Sequence, residues 1–248
     1  MSNFRSLTIL PFHSLRKLYS QPTSRAFSDS RIASRDKYWR RRKINQESII
    51  PKQKFDYFFI LDFEATCDNV VKVTPQEIIE IPCLRLNSKT LEVDSVFHEF
   101  VRPIAHPQLT PFCIQLTGII QETVDKASTF PQVWKNFNQW LNENKEDGGS
   151  FIFVTSGSWD LGFMLPQQLQ FSQMSPSDEF RSWIDLKKTF AKGYGRFPFG
   201  IKDMLQSLDI PQRGKLHSGM DDCLNIANIT KKMMIDQIIL DKTDTRRS

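Results

Sequence analysis

The chain has 248 residues, 40% hydrophobic and 25% charged, which suits one sizeable globular domain with an appendage. No apolar run approaches the roughly 20 residues that a membrane-spanning helix needs, so no membrane partner is expected. The net charge of +5 is unevenly held: residues 1–54 carry thirteen Lys and Arg against three acids, and the remainder carries 20 basic and 25 acidic residues. A domain that coats nucleic acid through overall positive charge is thereby excluded, and a polyanion site must be a local patch or a metal.

Residues 1–35 are rich in Arg and Ser and hold one acid, Asp29. That is the composition of a mitochondrial or plastid transit peptide. RAFS, residues 25–28, is similar to a mitochondrial processing site, and WRRRK, residues 39–43, is a rival nuclear address. Residues 1–54 are therefore expected to be a basic extension, disordered or removed, with mitochondria as destination and nucleus, cytoplasm or plastid as alternatives. Residues 55–240 are the expected folded domain, and 241–248 a short polar tail. Cys67, Cys83, Cys113 and Cys223 form no CxxC pair and are expected as reduced thiols.

Residues 55–64 read as a strand. Residues 76–87 and 91–102 read as two more, joined by the polar turn Asn87-Ser88-Lys89-Thr90. Residues 117–144 are mostly helical in pattern, broken near Thr129-Phe130-Pro131, and SFIFVTSG, residues 150–157, is an apolar strand. A helix over 160–170 despite Pro166, a short one over 201–208 and a last one over 221–238 complete the series. GYGRFPFG, residues 193–200, lacks the GK[ST] of a P-loop and reads as a loop. Strands first and helices interleaved afterwards predict an α/β domain with a central mixed β-sheet flanked by helices.

The apolar run Tyr57–Leu61 delivers two carboxylates, Asp62 and Glu64. Strand side chains alternate, so both acids share a face. Adjacent carboxylates repel, and a hard divalent cation removes the conflict. The plain alternative is a strand running out into water. A second apolar strand ends in SWD, placing Asp160 near a helix start, where its ordinary role would be a cap. In HSGMDDCLNIANI, residues 217–229, Asp222 lies one turn before Ile226 at the edge of an inward helical stripe. His217 precedes it on a Gly-containing turn. Beside a carboxylate cluster this histidine is a candidate base.

In that order DFEAT, SWD and HSGMDD resemble the three motifs of the DEDDh (RNase T-like) 3′–5′ exonuclease superfamily. QEIIEIP, FCIQLTGI, WIDLKK and HSGMDDCLNIANI are similar to the enhanced-RNAi-type exoribonuclease group, and TSGSWDLGFMLPQQ to its prion-protein-interacting branch. The resemblance covers roughly residues 55–236. It implies a ribonuclease H-like fold. It implies a metal-dependent 3′–5′ exoribonuclease that trims single-stranded RNA or RNA 3′ overhangs to nucleoside 5′-monophosphates. Asp62, Glu64, Asp160 and Asp222 would bind two Mg²⁺ ions, with Mn²⁺ able to substitute. His217, with Glu64, would be catalytic, His217 as the general base. Two such ions about 4 Å apart activate a water and stabilise the leaving oxygen.

Trp159 is the expected base-stacking residue, its alternative being ordinary core packing. Leu116 and Thr117 resemble the opposite wall, and Ala65, Thr66 and His217 would meet the terminal nucleotide. Ser156 and Ser158 replace residues usually more polar or acidic and are expected to tune activity. Residues 1–54 show no SAP-like module, so specificity for histone mRNA is not expected. Eight Lys and Arg against three Asp over residues 181–215 could track phosphates. Two other readings stand: a DNA 3′–5′ exonuclease, since the motifs do not distinguish sugars, and an inactive RNA-binding scaffold. The intact acids and His217 argue against the scaffold.

Overall fold

The computed structural model describes residues 50–145, 148–175 and 177–246. The transit-like segment, RAFS and WRRRK lie outside the described residues.

A mixed sheet organises the domain. Its central strand, β1 (Tyr57–Leu61), runs antiparallel to β3 (Ile78–Asn87) and parallel to β5 (Phe151–Thr155). β3 also pairs with the two-residue β2 (Glu64–Ala65) and with β4 (Val93–Phe100), both antiparallel. On the other side β5 pairs in parallel with β6 (Ser182–Asp185), which carries the edge strand β7 (Asp244–Thr245). β1 is apolar without alternation because both faces of the sheet are covered. Phe58 and Ile60 face an aliphatic core with Cys223, Ile226 and Met233 of α7 (Gly219–Ile235). Phe59 and Leu61 face an aromatic core with Phe137 and Trp140 of α3 (Phe130–Glu143).

The remaining helices are α1 (Pro111–Thr117), α2 (Gln121–Asp125), α4 (Leu165–Phe171), α5 (Leu186–Tyr194) and α6 (Ile201–Ser207). The expected break in 117–144 is present, because Thr129 is extended and Pro131 opens α3, where proline is tolerated. Pro166 lies in the first turn of α4, directly after a π-helical turn over Asp160–Met164.

Three elements differ from expectation. α1 was not anticipated, although Thr110 caps it through Cys113 N and Gly118 ends it at φ +80°. The SWID strand β6 and helix α5 occupy ground read for its WIDLKK motif, its basic charge and a loop, and not as regular elements. The folded unit also extends past both expected boundaries: Leu240 N donates to Gln53 Oε1 at 2.9 Å, and β7 lies within the supposed polar tail. All four cysteines are free thiols.

Candidate active site

β1 stops at Leu61, and the strand resumes at Glu64, which pairs with Glu80 of β3. The register shifts between Glu64 and Ala65, a bulge of the kind that re-aims side chains at functional sites. Asp62 and Glu64 both line the cleft.

Asp160 opens a π-helical turn, Asp160–Met164, whose carbonyl accepts from Leu165 N. Single π turns are common at functional sites. The expected helix-cap role is not found; Asp160 Oδ1 instead accepts from Phe63 N at 2.9 Å, joining the second motif to the first. Asp222 lies in the first turn of α7 and is buried. Its Oδ2 accepts from His217 N at 2.7 Å, and its buried Oδ1 has no partner. His217 sits at φ +63°, an unusual backbone for a non-glycine residue, and is exposed at the rim. One ligand atom from each of Glu64, His217 and Asp222 lies within 4.8 Å of the other two.

The start of α7 packs directly on the first motif. A Cβ at Gly219 would lie 3.0 Å from the Asp62 carbonyl oxygen and 2.8 Å from Pro82 Cγ, so only glycine fits. Gly219 N donates to Glu80 Oε2 at 3.2 Å, and His98 Nε2 hydrogen-bonds Glu80 Oε1 at 2.7 Å. Glu80 is thus a fifth carboxylate, 3% exposed, behind the other four. It was missed in the sequence, yet its signal was the same as that of Asp62: an acid inside an apolar run, in QEIIEIP.

Burial and mutual repulsion act on this set together. Burial, then the Asp160 and Asp222 charges, hold the Asp62 carboxyl well above its usual range. Burial, then Glu80, raises Glu64 to about 9. Burial lifts Asp160 to about 7 against the pull of the Phe63 N–H, and lifts Asp222 to about 6 against that of His217 N. The carboxylate oxygens, their repulsion and the orphaned Asp222 Oδ1 fit a hard divalent cation.

The expected substrate residues divide. Ala65, Leu116 and Trp159 line the cleft, and Trp159 is 40% exposed, so it is not a core residue. Thr66 and Thr117 are buried and do not line it. Thr66 Oγ1 accepts from Glu77 N, and Thr117 Oγ1 donates to Cys113 O and accepts from Ile119 N. Their hydroxyls are occupied by backbone, which corrects the expectation for those two side chains. The basic stretch is also thinner than its count: Arg181, Lys188 and Arg196 are paired with Asp178, Asp244 and Asp203.

A family model described as an exonuclease, RNase T, matches residues 59–230. The chain belongs to this family. It is 45% identical over 196 residues to human ERI1 exoribonuclease 3, covering 78% of this chain and 58% of that one. It is 38% identical over 206 residues to human 3′–5′ exoribonuclease 1, covering 80% of this chain and 58% of that one. The chain therefore spans a little over half the length of these relatives. The nuclease domain of 3′hExo, a DEDDh family member, superposes with a TM-score of 0.75 at 37% identity, covering 79% of this chain and 100% of that one. The family implies a divalent metal cofactor, and the fold is ribonuclease H-like, as the motifs implied. The higher identity to exoribonuclease 3 agrees with the branch read from TSGSWDLGFMLPQQ.

Proposed function

We propose that the protein is a metal-dependent 3′–5′ exoribonuclease that trims single-stranded RNA or RNA 3′ overhangs, releasing nucleoside 5′-monophosphates. The observation that carries this reading is the convergence of carboxylates from a strand end, a π-helical turn and a helix start on one cleft beside His217. Asp62, Glu64, Asp160 and Asp222 would hold the divalent ions, Mg²⁺ foremost with Mn²⁺ able to substitute, which when bound neutralise charge on the phosphate and acidify water.

The chain's own groups account for the rest. His217, on its left-handed turn at the rim, takes the proton of the attacking water. Asp222 fixes that turn through His217 N and keeps one oxygen free for a ligand. Trp159 and Leu116 grip the terminal base without reading its identity, since any base offers a face to stack on. A relative at 37% identity is known bound to rAMP, which supports a ribonucleotide in this cleft.

The test is parallel digestion of RNA and DNA oligonucleotides of one sequence with Mg²⁺. Stepwise 3′ shortening of RNA supports the reading; faster loss of DNA would replace it with a DNA exonuclease. The address is a further part of the proposal. The Arg- and Ser-rich residues 1–35 direct the protein to mitochondria. A reporter fused to residues 1–45 that stays in nucleus or cytosol would rule this out.

A further inference from the structure

The cleft has two lobes. The smaller, about 380 Å³, holds Glu64, Ala65, Leu116, Trp159 and Asp160. The larger, about 720 Å³, runs away from them past Phe199, Gly200, Ile201, Lys202, Gln206 and Leu216. They meet at Asp62, Ser156, Lys187 and His217. In the proposed reaction a P–O bond to water forms and the bond from phosphorus to the 3′-oxygen of the penultimate nucleotide breaks. The terminal nucleotide, with its phosphate, and the chain that loses it therefore lie on opposite sides of the carboxylates. If the terminal nucleotide fills the smaller lobe, the upstream chain must enter the larger.

One wall of that larger lobe is the loop that carries Phe199, with Phe197 two residues earlier beside Lys187. Between α5 and α6, Pro198 is buried while Phe197 is 60% and Phe199 97% exposed. The loop is pinned. Arg196 grips Asp203 with both guanidinium nitrogens, Nη1–Oδ2 at 2.9 Å and Nη2–Oδ1 at 2.8 Å, and Phe199 N donates to Asp203 Oδ2 at 2.9 Å. Such a bidentate fork fixes geometry as well as adding energy. Lys187 lies over Gly157, where a Cβ would come within 3.0 Å of its Cε, and its Nζ is 5.9 Å from the Phe197 ring centre. No carboxylate among the described residues pairs with Lys187 or Lys202, whereas three other cations of the same region are paired. Exposed rings interleaved with unpaired cations, continuous with a phosphate-cleaving centre, are the recognition chemistry of unpaired nucleic acid.

We propose that Phe199 and Phe197, with Lys187 and Lys202, form a second subsite that binds the single-stranded RNA immediately upstream of the scissile phosphate. Phe199 stacks on an unpaired base there, and the two lysines hold its phosphates. The proposal rests on the exoribonuclease reading, and it makes substrate length matter: a two-nucleotide RNA fills little of the larger lobe, and a longer one fills it.

The experiment is kcat/KM of the full chain on single-stranded RNAs of two, three, four and six nucleotides, for wild type, F199A, K202Q and W159A. Wild type gains efficiency as the RNA lengthens. F199A loses that gain by on the order of tenfold, the usual effect of one lost base stack, while W159A falls by a similar factor at every length. K202Q flattens the salt dependence on the longest RNA by about 0.7 in log–log slope, one phosphate contact. A wild type with no length dependence, or an F199A variant that keeps the full gain, overturns the subsite, the second outcome pointing to a protein partner for the phenyl rings. A wild type that hydrolyses no RNA of any length fails the underlying exoribonuclease reading instead. Phe199 is almost wholly exposed, so an unchanged melting temperature is expected for F199A.

Discussion

Two regions of one strand set the logic of this molecule. Phe58–Leu61 of β1 are fully buried, with an aliphatic layer on one face and an aromatic layer on the other. Phe59 alone meets Trp140, Phe151 and Phe153 at ring-centre distances of 5.6, 5.3 and 5.8 Å. One residue later the chain reaches Asp62 and enters a cluster in which burial and neighbouring charge oppose ionisation. The lower part of the strand stabilises the fold, and its end holds groups that destabilise it. The core over-determines the positions of acids that would otherwise move apart, a pattern common at functional sites.

The sharpest way to separate the two regions is to remove a charge without removing volume. Asp62→Asn or Asp222→Asn is expected to lower RNA hydrolysis more than about 100-fold, beyond the usual cost of losing even a supporting partner of a metal ligand. The same variants should melt no lower than wild type in chelator, because a repelled charge has gone. Near-normal turnover in a folded variant would break the assignment. The converse substitution is Phe137→Ala in the aromatic core, expected to cost about 3–5 kcal/mol of stability. Denaturant unfolding checks it, and a loss below about 1 kcal/mol would show that this layer does not anchor the sheet.

Glu80→Gln tests the layer between the two regions. It keeps the shape but weakens the links to His98 and Gly219 N, and a fall of about 10- to 100-fold in metal affinity or rate is expected. Unchanged kinetics would make Glu80 a bystander. Trp159→Ala should weaken substrate handling by about 1–3 kcal/mol, with little change in melting temperature because the ring is 40% exposed. A collapse of stability would return Trp159 to the core.

Much of this was legible in the sequence. β1, β3 and β5 announced themselves through apolar runs and α7 through its inward stripe, and the site acids through carboxylates at the ends of such runs or at the edge of that stripe. Where the sequence reading fell short, the decisive partner lay far along the chain or the element was too short to show a period. β6 is four residues, three of them buried, so it shows no alternation, and Asp185 looks like a stray acid until it caps α5 through Lys187 N and Lys188 N. α1 did carry readable punctuation, threonine before it, proline at its first position and glycine after it, but spans only seven residues. Glu80 has its partners 18 and 139 residues away, at His98 and Gly219. Thr66 and Thr117 illustrate the opposite error: their motif positions suggested a ligand, and local backbone groups claimed their hydroxyls.

The raised carboxyls also set a pH dependence. Each folded value lies above its unfolded one, so the folded state binds more protons between about pH 4 and the folded values, and stability falls as pH rises through that window. With Glu64 near 9, Asp160 near 7 and Asp222 near 6, the chelated protein should melt at a lower temperature at pH 8 than at pH 5. A flat or rising profile would mean that the acids are not crowded in solution.

The claim at the centre is that this crowded set of acids is a cation site. The direct measurement is the melting temperature of the full chain at pH 8 in chelator and in excess Mg²⁺, for wild type and for Asp62→Asn. A ligand that binds only the folded state raises stability with its concentration. A clear upward shift is expected for wild type and a smaller one for Asp62→Asn; identical wild-type melting with and without Mg²⁺, or an equal shift in the variant, would show that these acids are not a cation site.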